Sequence, residues 1–180
     1  MLKDAGVPWV ITGHSERRAL CGESNKFVGE KTGHALDVGL SVIACVGETL
    51  DQRNGGNLWH VLDTQMQALF DHVGSEWPRV VVAYEPVWAI GTGVVASPEQ
   101  AQEVHAYLRK VLSDKLGRQA ADAVRIIYGG SVNDGNCGEL ARQPDIDGFL
   151  VGGASLKGES FMKICAARAG EGAAAAAARR

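Results

Sequence analysis

The chain has 180 residues, enough for one domain with a sizeable core. Hydrophobic residues make up 46%, charged residues 22% and the net charge is −3, which fits an ordinary globular protein and excludes a basic nucleic-acid surface. No apolar run approaches the ~20 residues of a membrane span, and Met1-Leu2-Lys3-Asp4 has no signal-peptide character, so a cytoplasmic protein is expected.

In chain order, strand and helix signals alternate without a break. Val7–Thr12, Ser41–Val46, Val80–Tyr84, Arg125–Tyr128 and Gly148–Val151 read as strands that are apolar on both faces, as parallel strands covered by helices should be. A helix beginning near Asn25 ends at Gly39. Leu58, Leu62, Met66, Leu69 and Val73 keep one face of the next helix apolar. Ser97-Pro98-Glu99-Gln100 is a helix start: Ser97 caps, Pro98 takes the first helical position and Gln100 can close a capping box. That helix stops at Gly117. Shorter helices are expected over residues 134–142 and 159–169. The alanine-rich residues 170–180 are expected to fray as a flexible tail, leaving 1–169 as the folded part. Repeated β-α units predict a parallel α/β architecture. Taken alone, five strands suit a doubly wound sheet and fall short of a (β/α)8 barrel.

Cys21, Cys45, Cys137 and Cys165 form no C-x-x-C pair, so neither a zinc knuckle nor a disulfide framework is indicated. Cys45 ends a strand at the chemically active end. It can line a site or simply fill the core as a small hydrophobe, and the second reading is the expected one.

Parallel α/β folds place chemistry at the C-terminal ends of strands. The strands here are followed in turn by Gly13-His14-Ser15-Glu16-Arg17-Arg18, Gly47-Glu48, Glu85 with a long glycine-bearing loop, Gly129-Gly130-Ser131 and Gly152-Gly153. His14 leads into a short helical stretch. Helix N–H groups disfavour imidazolium, and a neutral ring can still donate a hydrogen bond to a developing oxyanion. The same histidine can equally serve as a turn cap. Glu85 ends an apolar strand and is held extended by Pro86, so desolvation can raise its pKa and suit it to taking a proton from carbon. It can also be a buried glutamate paired with a cation. His34, His60, His72 and His105 fall within helical patterns and read as surface or packing residues. The loops Gly129-Gly130-Ser131 and Gly152-Gly153 let main-chain N–H groups approach an anion, which suggests a phosphate site, although each is also a plausible tight turn. Gly91-Thr92-Gly93-Val94-Val95-Ala96 matches a dinucleotide fingerprint, but six residues separate it from the strand and no helix starts at it.

Four stretches carry a resemblance to a known family. They are Val10–Arg18, Ala83–Gly93, Ile127–Val132 and Asp147–Leu156, and they resemble triosephosphate isomerase over about residues 1–167. That family is the well-known worked case of a glutamate base, a neutral histidine and a closing loop. The resemblance implies interconversion of dihydroxyacetone phosphate and glyceraldehyde 3-phosphate. In that picture Glu85 removes the proton next to the carbonyl and His14 polarises the carbonyl oxygens. Main-chain N–H groups of Gly91, Ser131, Gly152 and Gly153 hold the phosphate. Pro86–Ala96 forms a lid that Tyr128 and Ser131 latch, and closure protects the enediolate from water. No metal or organic cofactor is implied. A homodimer is.

The chain also departs from that family, which forms a (β/α)8 barrel of ~250 residues. Its five strands correspond to strands four to eight, giving an incomplete barrel. The Asn-x-Lys motif after the family's first strand has no counterpart, so Glu16 lacks the lysine it is expected to face. The loop that interlocks two subunits is missing too. Losing a charged transition-state contact costs on the order of a hundredfold in rate. A truncated gene model or fragment, inactive and poorly soluble alone, is therefore expected, with bare strand edges at Val7–Thr12 and Gly148–Val151. A phosphate-binding fragment without catalysis is the alternative reading. An aldolase is disfavoured because no lysine ends a strand.

Overall fold

The computed structural model describes residues 1–90 and 95–169. The chain divides into two compact units, one spanning Met1–Val87 and the other beginning at Trp88.

The first unit runs β1 (Trp9–Thr12), α1 (Ser15–Cys21), α2 (Asn25–Asp37), β2 (Ser41–Val46), α3 (Leu50–Asn54), α4 (Leu58–Val73) and β3 (Val80–Tyr84). Its strands pair in parallel, with Ile11 beside Ile43 and Ala44 beside Val82. All of β3 is buried, as its unbroken valine run demands when both faces are covered. The expected face of α4 is the buried one: Leu58, Leu62, Met66, Leu69 and Val73 all face the core.

The second unit runs α5 (Pro98–Leu116), α6 (Arg118–Ala123), β4 (Arg125–Tyr128), α7 (Cys137–Ala141), β5 (Gly148–Phe149) and α8 (Gly158–Ala169). Both halves of the capping box form at α5: Ser97 Oγ accepts from the Gln100 N–H, and the Gln100 side chain accepts from the Ser97 N–H. β4 and β5 pair in parallel, with Ile127 beside Gly148. Asp147 Oδ2 binds the Ile126 N–H at 2.8 Å and the Arg109 guanidinium at 2.5 Å, fixing the entry to β5. Five strands thus alternate with helices, an α/β arrangement consistent with a partial barrel.

Two strands are shorter than expected. Val7 donates its N–H to the Leu2 carbonyl in a local turn, and Pro8 has no N–H to donate, so β1 begins at Trp9. β5 ends at Phe149, although the Leu150 N–H still reaches the Tyr128 carbonyl at 2.9 Å. β1 is also not apolar-and-buried on both faces: Trp9 is 38% exposed and Ile11 47% exposed. No helix among the described residues is long and apolar enough to cross a membrane. The alanine-rich tail lies outside the described residues, as do Gly91 and Val94 of the expected lid.

Candidate active site

The ends of all three strands of the first unit meet around Glu85. The ladder runs past the strands themselves, for the Glu85 N–H donates to the Val46 carbonyl at 2.8 Å and the Val87 N–H donates to the Glu48 carbonyl at 3.0 Å. These bonds set the main chain of Glu85, and Pro86 keeps it extended. From the other side β1 turns sharply at Gly13, whose φ of +68° favours glycine. A Cβ there would also lie 2.7 Å from Val28 Cγ1 and 2.9 Å from the Cys45 carbonyl. Arg18 fixes this corner, its Nε donating to the Gly13 carbonyl at 2.8 Å and a terminal nitrogen to the Asn25 side chain at 2.7 Å.

The turn delivers His14 as the cap of α1. Its Nδ1 accepts the Glu16 N–H at 3.3 Å. That bond assigns the proton of a neutral ring to Nε2, and Nε2 lies 3.0 Å from Glu85 Oε1. The second carboxylate oxygen, Oε2, accepts the Ser15 N–H at 3.1 Å. Both oxygens of Glu85 are therefore held from the first turn of α1. The residue is 2% exposed.

Burial raises the Glu85 pKa above the usual carboxylate range. His14, the Ser15 N–H, the Cys45 thiol and the Arg18 cation each pull the other way without cancelling it. The buried Cys45 responds in the same field. Desolvation, then the Glu85 charge beside it, pushes its thiol well above the ordinary cysteine value, so it stays protonated beside the carboxylate. The expectation of a plain core hydrophobe at Cys45 was thus incomplete. No pairing of Glu85 with arginine or lysine is needed to explain its burial, because the imidazole takes that place.

The remaining expected site residues belong to the second unit or to the surface. Ser131 Oγ donates to the Ala89 carbonyl at 2.6 Å, tying the Gly129-Gly130-Ser131 loop to a residue of the expected lid. The Asn136 amide secures the Ser131 carbonyl at 2.9 Å. Tyr128 is fully buried, its ring 6.2 Å from that of His105. Gly152 and Gly153 are exposed and lead into a 3-10 turn, and a Cβ at either would meet no protein atom within 4 Å. Protein packing therefore does not require glycine at these two positions, and close approach by a ligand remains a reason for it. Glu16 is exposed; its main chain, through the bond to His14, contributes more here than its carboxylate. Gly91 lies outside the described residues.

Sequence reasoning missed the Ser15 N–H as a carboxylate ligand. The available signal was its position, one residue inside a helix whose cap is His14. It also left Arg18 without a role, although a half-buried arginine next to a glycine corner can tie down a main chain.

A family model of triosephosphate isomerase matches residues 1–168. The chain is 60% identical over 159 residues to the cytosolic triosephosphate isomerase of Oryza sativa subsp. japonica, a match covering 88% of this chain and 62% of that protein. It is 57% identical over 164 residues to the chloroplastic triosephosphate isomerase of Secale cereale, covering 91% of this chain and 55% of that protein. It therefore spans less than two thirds of the length of either relative. On these matches the chain belongs to the triosephosphate isomerase family.

Proposed function

We propose that this chain carries the base and the electrophile of a triose-phosphate isomerase, interconverting dihydroxyacetone phosphate and D-glyceraldehyde 3-phosphate. The observation that carries the reading is the buried Glu85 carboxylate, raised in pKa and held 3.0 Å from a histidine nitrogen. In the resting arrangement the two groups satisfy each other. A substrate carbonyl oxygen entering the site takes over the His14 Nε2–H, and the Glu85 carboxylate, released, removes the proton from the adjacent carbon. The carbon–hydrogen electron pair moves into an enediolate whose oxygen His14 holds. His14 gives its Nε2 proton to that oxygen and takes up the hydroxyl proton from the neighbouring carbon's oxygen, and Glu85, now protonated, returns its proton to the carbon that carried the carbonyl. Ser131, Gly152 and Gly153, with Gly91, are proposed to hold the phosphate by main-chain N–H groups. Tyr128 and Ser131 are proposed to steady the lid. Glu16 supports the histidine through its N–H.

A non-catalytic phosphate-binding module would need neither Glu85 nor His14, and their direct contact speaks against it. We place the activity in the cytoplasm, in line with the cytosolic relative, with residues 1–169 as one partial barrel and 170–180 as its tail. The active form is a homodimer completed by the family segment that this chain does not span.

The test uses the chain combined with the residues of the rice cytosolic protein that it does not match. In heavy water, deuterium should enter dihydroxyacetone phosphate next to the carbonyl, and Glu85→Gln should slow this by at least about a hundredfold. Unchanged exchange in that variant would remove Glu85 as the base. The isolated chain is expected to show no turnover.

A further inference from the structure

Gly47 lies where β1 leaves the sheet. Extending the β2–β3 register, in which Val46 sits beside Tyr84, places Gly47 beside Glu85. Val46 and Glu48 turn their carbonyls towards the β3 side, where the N–H groups of Glu85 and Val87 meet them. Peptide groups alternate along a strand, so the N–H and C=O of Gly47 point the other way, towards β1. Extending the β1–β2 register, in which Thr12 sits beside Ala44, makes Ser15 the residue due opposite Gly47. Ser15 has instead begun α1, and its N–H goes to Glu85 Oε2 at 3.1 Å. A partly buried peptide unit left without partners at this point would cost free energy towards that of lost hydrogen bonds.

Gln65 on α4 fills the gap. The Gly47 N–H donates to Gln65 Oε1 at 2.8 Å, and Gln65 Nε2 donates to the Gly47 carbonyl at 3.0 Å. Its amide orientation is fixed by this pair, since the reverse would face donor to donor. Gln65 is buried, 7% exposed. Gly47 in turn touches Glu85: a Cβ at Gly47 would fall 1.8 Å from the Glu85 carbonyl oxygen. Any shift of Gly47 is passed straight to the main chain that carries the carboxylate.

We propose that Gln65 is a positioning residue for Glu85: its amide stands in for the strand residue that β1 no longer supplies, which frees His14 and Ser15 to hold the two carboxylate oxygens. The chemical consequence rests on the isomerase reading above; the geometry does not. Gln65 touches no reacting atom. The groups facing Glu85 are His14, the Ser15 N–H, Cys45 and Arg18, and Gln65 acts only through the Gly47 main chain.

The test is made on the full chain and needs no turnover. Gln65→Met keeps the volume and removes both bonds. Its expected signature is roughly tenfold faster hydrogen exchange at the Ser15 and Glu85 amides, with Val82 in the strand interior unchanged. The Glu85 carboxyl, followed by 13C NMR and assigned with Glu85→Gln, should then titrate closer to the ordinary carboxylate range. Unchanged Ser15 protection and an unchanged Glu85 titration would overturn the proposal. If Gln65→Met does not fold, Gln65→Glu gives a second reading. Protonated, its carboxyl offers the same donor and acceptor as the amide; ionised, it opposes the Gly47 carbonyl. Ser15 protection should be near wild type in acid and fall as the new carboxyl ionises, and protection independent of that ionisation would overturn the proposal. Loss of the isomerase reading shows up separately, as exchange of substrate hydrogen that survives Glu85→Gln in the completed barrel.

Discussion

Glu85 is held by four partners that favour its charged form, yet burial outweighs them and its pKa stays raised. The folded protein therefore binds this proton more tightly than the unfolded chain does. The stability contributed by the neutral carboxyl is fully present below the ordinary glutamate value and is lost as pH rises through the raised one. Glu85→Gln keeps an acceptor for His14 and Ser15 and removes the buried charge. It should be more stable than the parent at pH 8, with the advantage shrinking towards pH 4. Urea unfolding at the two pH values checks this, and an advantage that does not vary with pH would mean the carboxylate is not strained by its burial. The pair at the heart of the site was legible in the sequence: Glu85 follows an all-apolar strand and His14 precedes a helix, so both strand ends announced titratable groups. Gln65 was not legible. It sits on a helix face otherwise read from its leucines, and its role exists only because β1 ends three register positions short of Gly47. Cys45 was noticed for its place at a strand end, but its closeness to the carboxylate depends on a register that no local pattern encodes.

At the scale of elements, caps and periodicity were the dependable signals. α4 and α5 appear where the leucine spacing and the Ser97 box put them, because each is decided within a few turns of chain. The edge strands were overestimated, since an apolar run says nothing about whether a partner strand is present to pair with it. α5 also carries a buried titratable group that the sequence reading left as a packing residue. His105 is fully buried, its Nδ1 donates to the Asp145 carbonyl at 3.2 Å, and Tyr128, Arg109 and Asp147 surround it. Desolvation lowers its pKa to about 4. The unfolded chain takes up this proton near the ordinary histidine value, so stability falls as pH drops from about 6.5 towards 4, by up to about 3 kcal/mol from this one residue. Denaturation at pH 7 and pH 5 should show the loss, and His105→Gln should flatten it. An equally steep slope in the variant would assign the acid sensitivity elsewhere.

Over the molecule as a whole, the first unit leaves one edge open. Val7, Trp9 and Ile11 are each more than a third exposed. Beside them a groove of about 770 Å³ is lined by Val10, Ile11, Phe27, Ala35, Val38 and Leu40. A strand edge that is both apolar and accessible pairs readily with another edge, and natural sheets usually blunt such edges with charge or bulges. The charges that also line this groove, Lys3, Arg17, Glu30 and Lys31, do not lie on the strand itself. Two copies of the chain are therefore expected to associate through β1 at micromolar concentrations. Ile11→Lys puts a charge on the exposed face without touching His14 or Glu85, and it should shift the chain towards monomer in sedimentation velocity. The unit's thermal unfolding should change little, because Ile11 is already 47% exposed. Equal association by the parent and the variant would place the contact elsewhere on the surface. A strictly monomeric parent at 100-fold higher concentration would mean that this edge, however apolar, does not recruit a second copy.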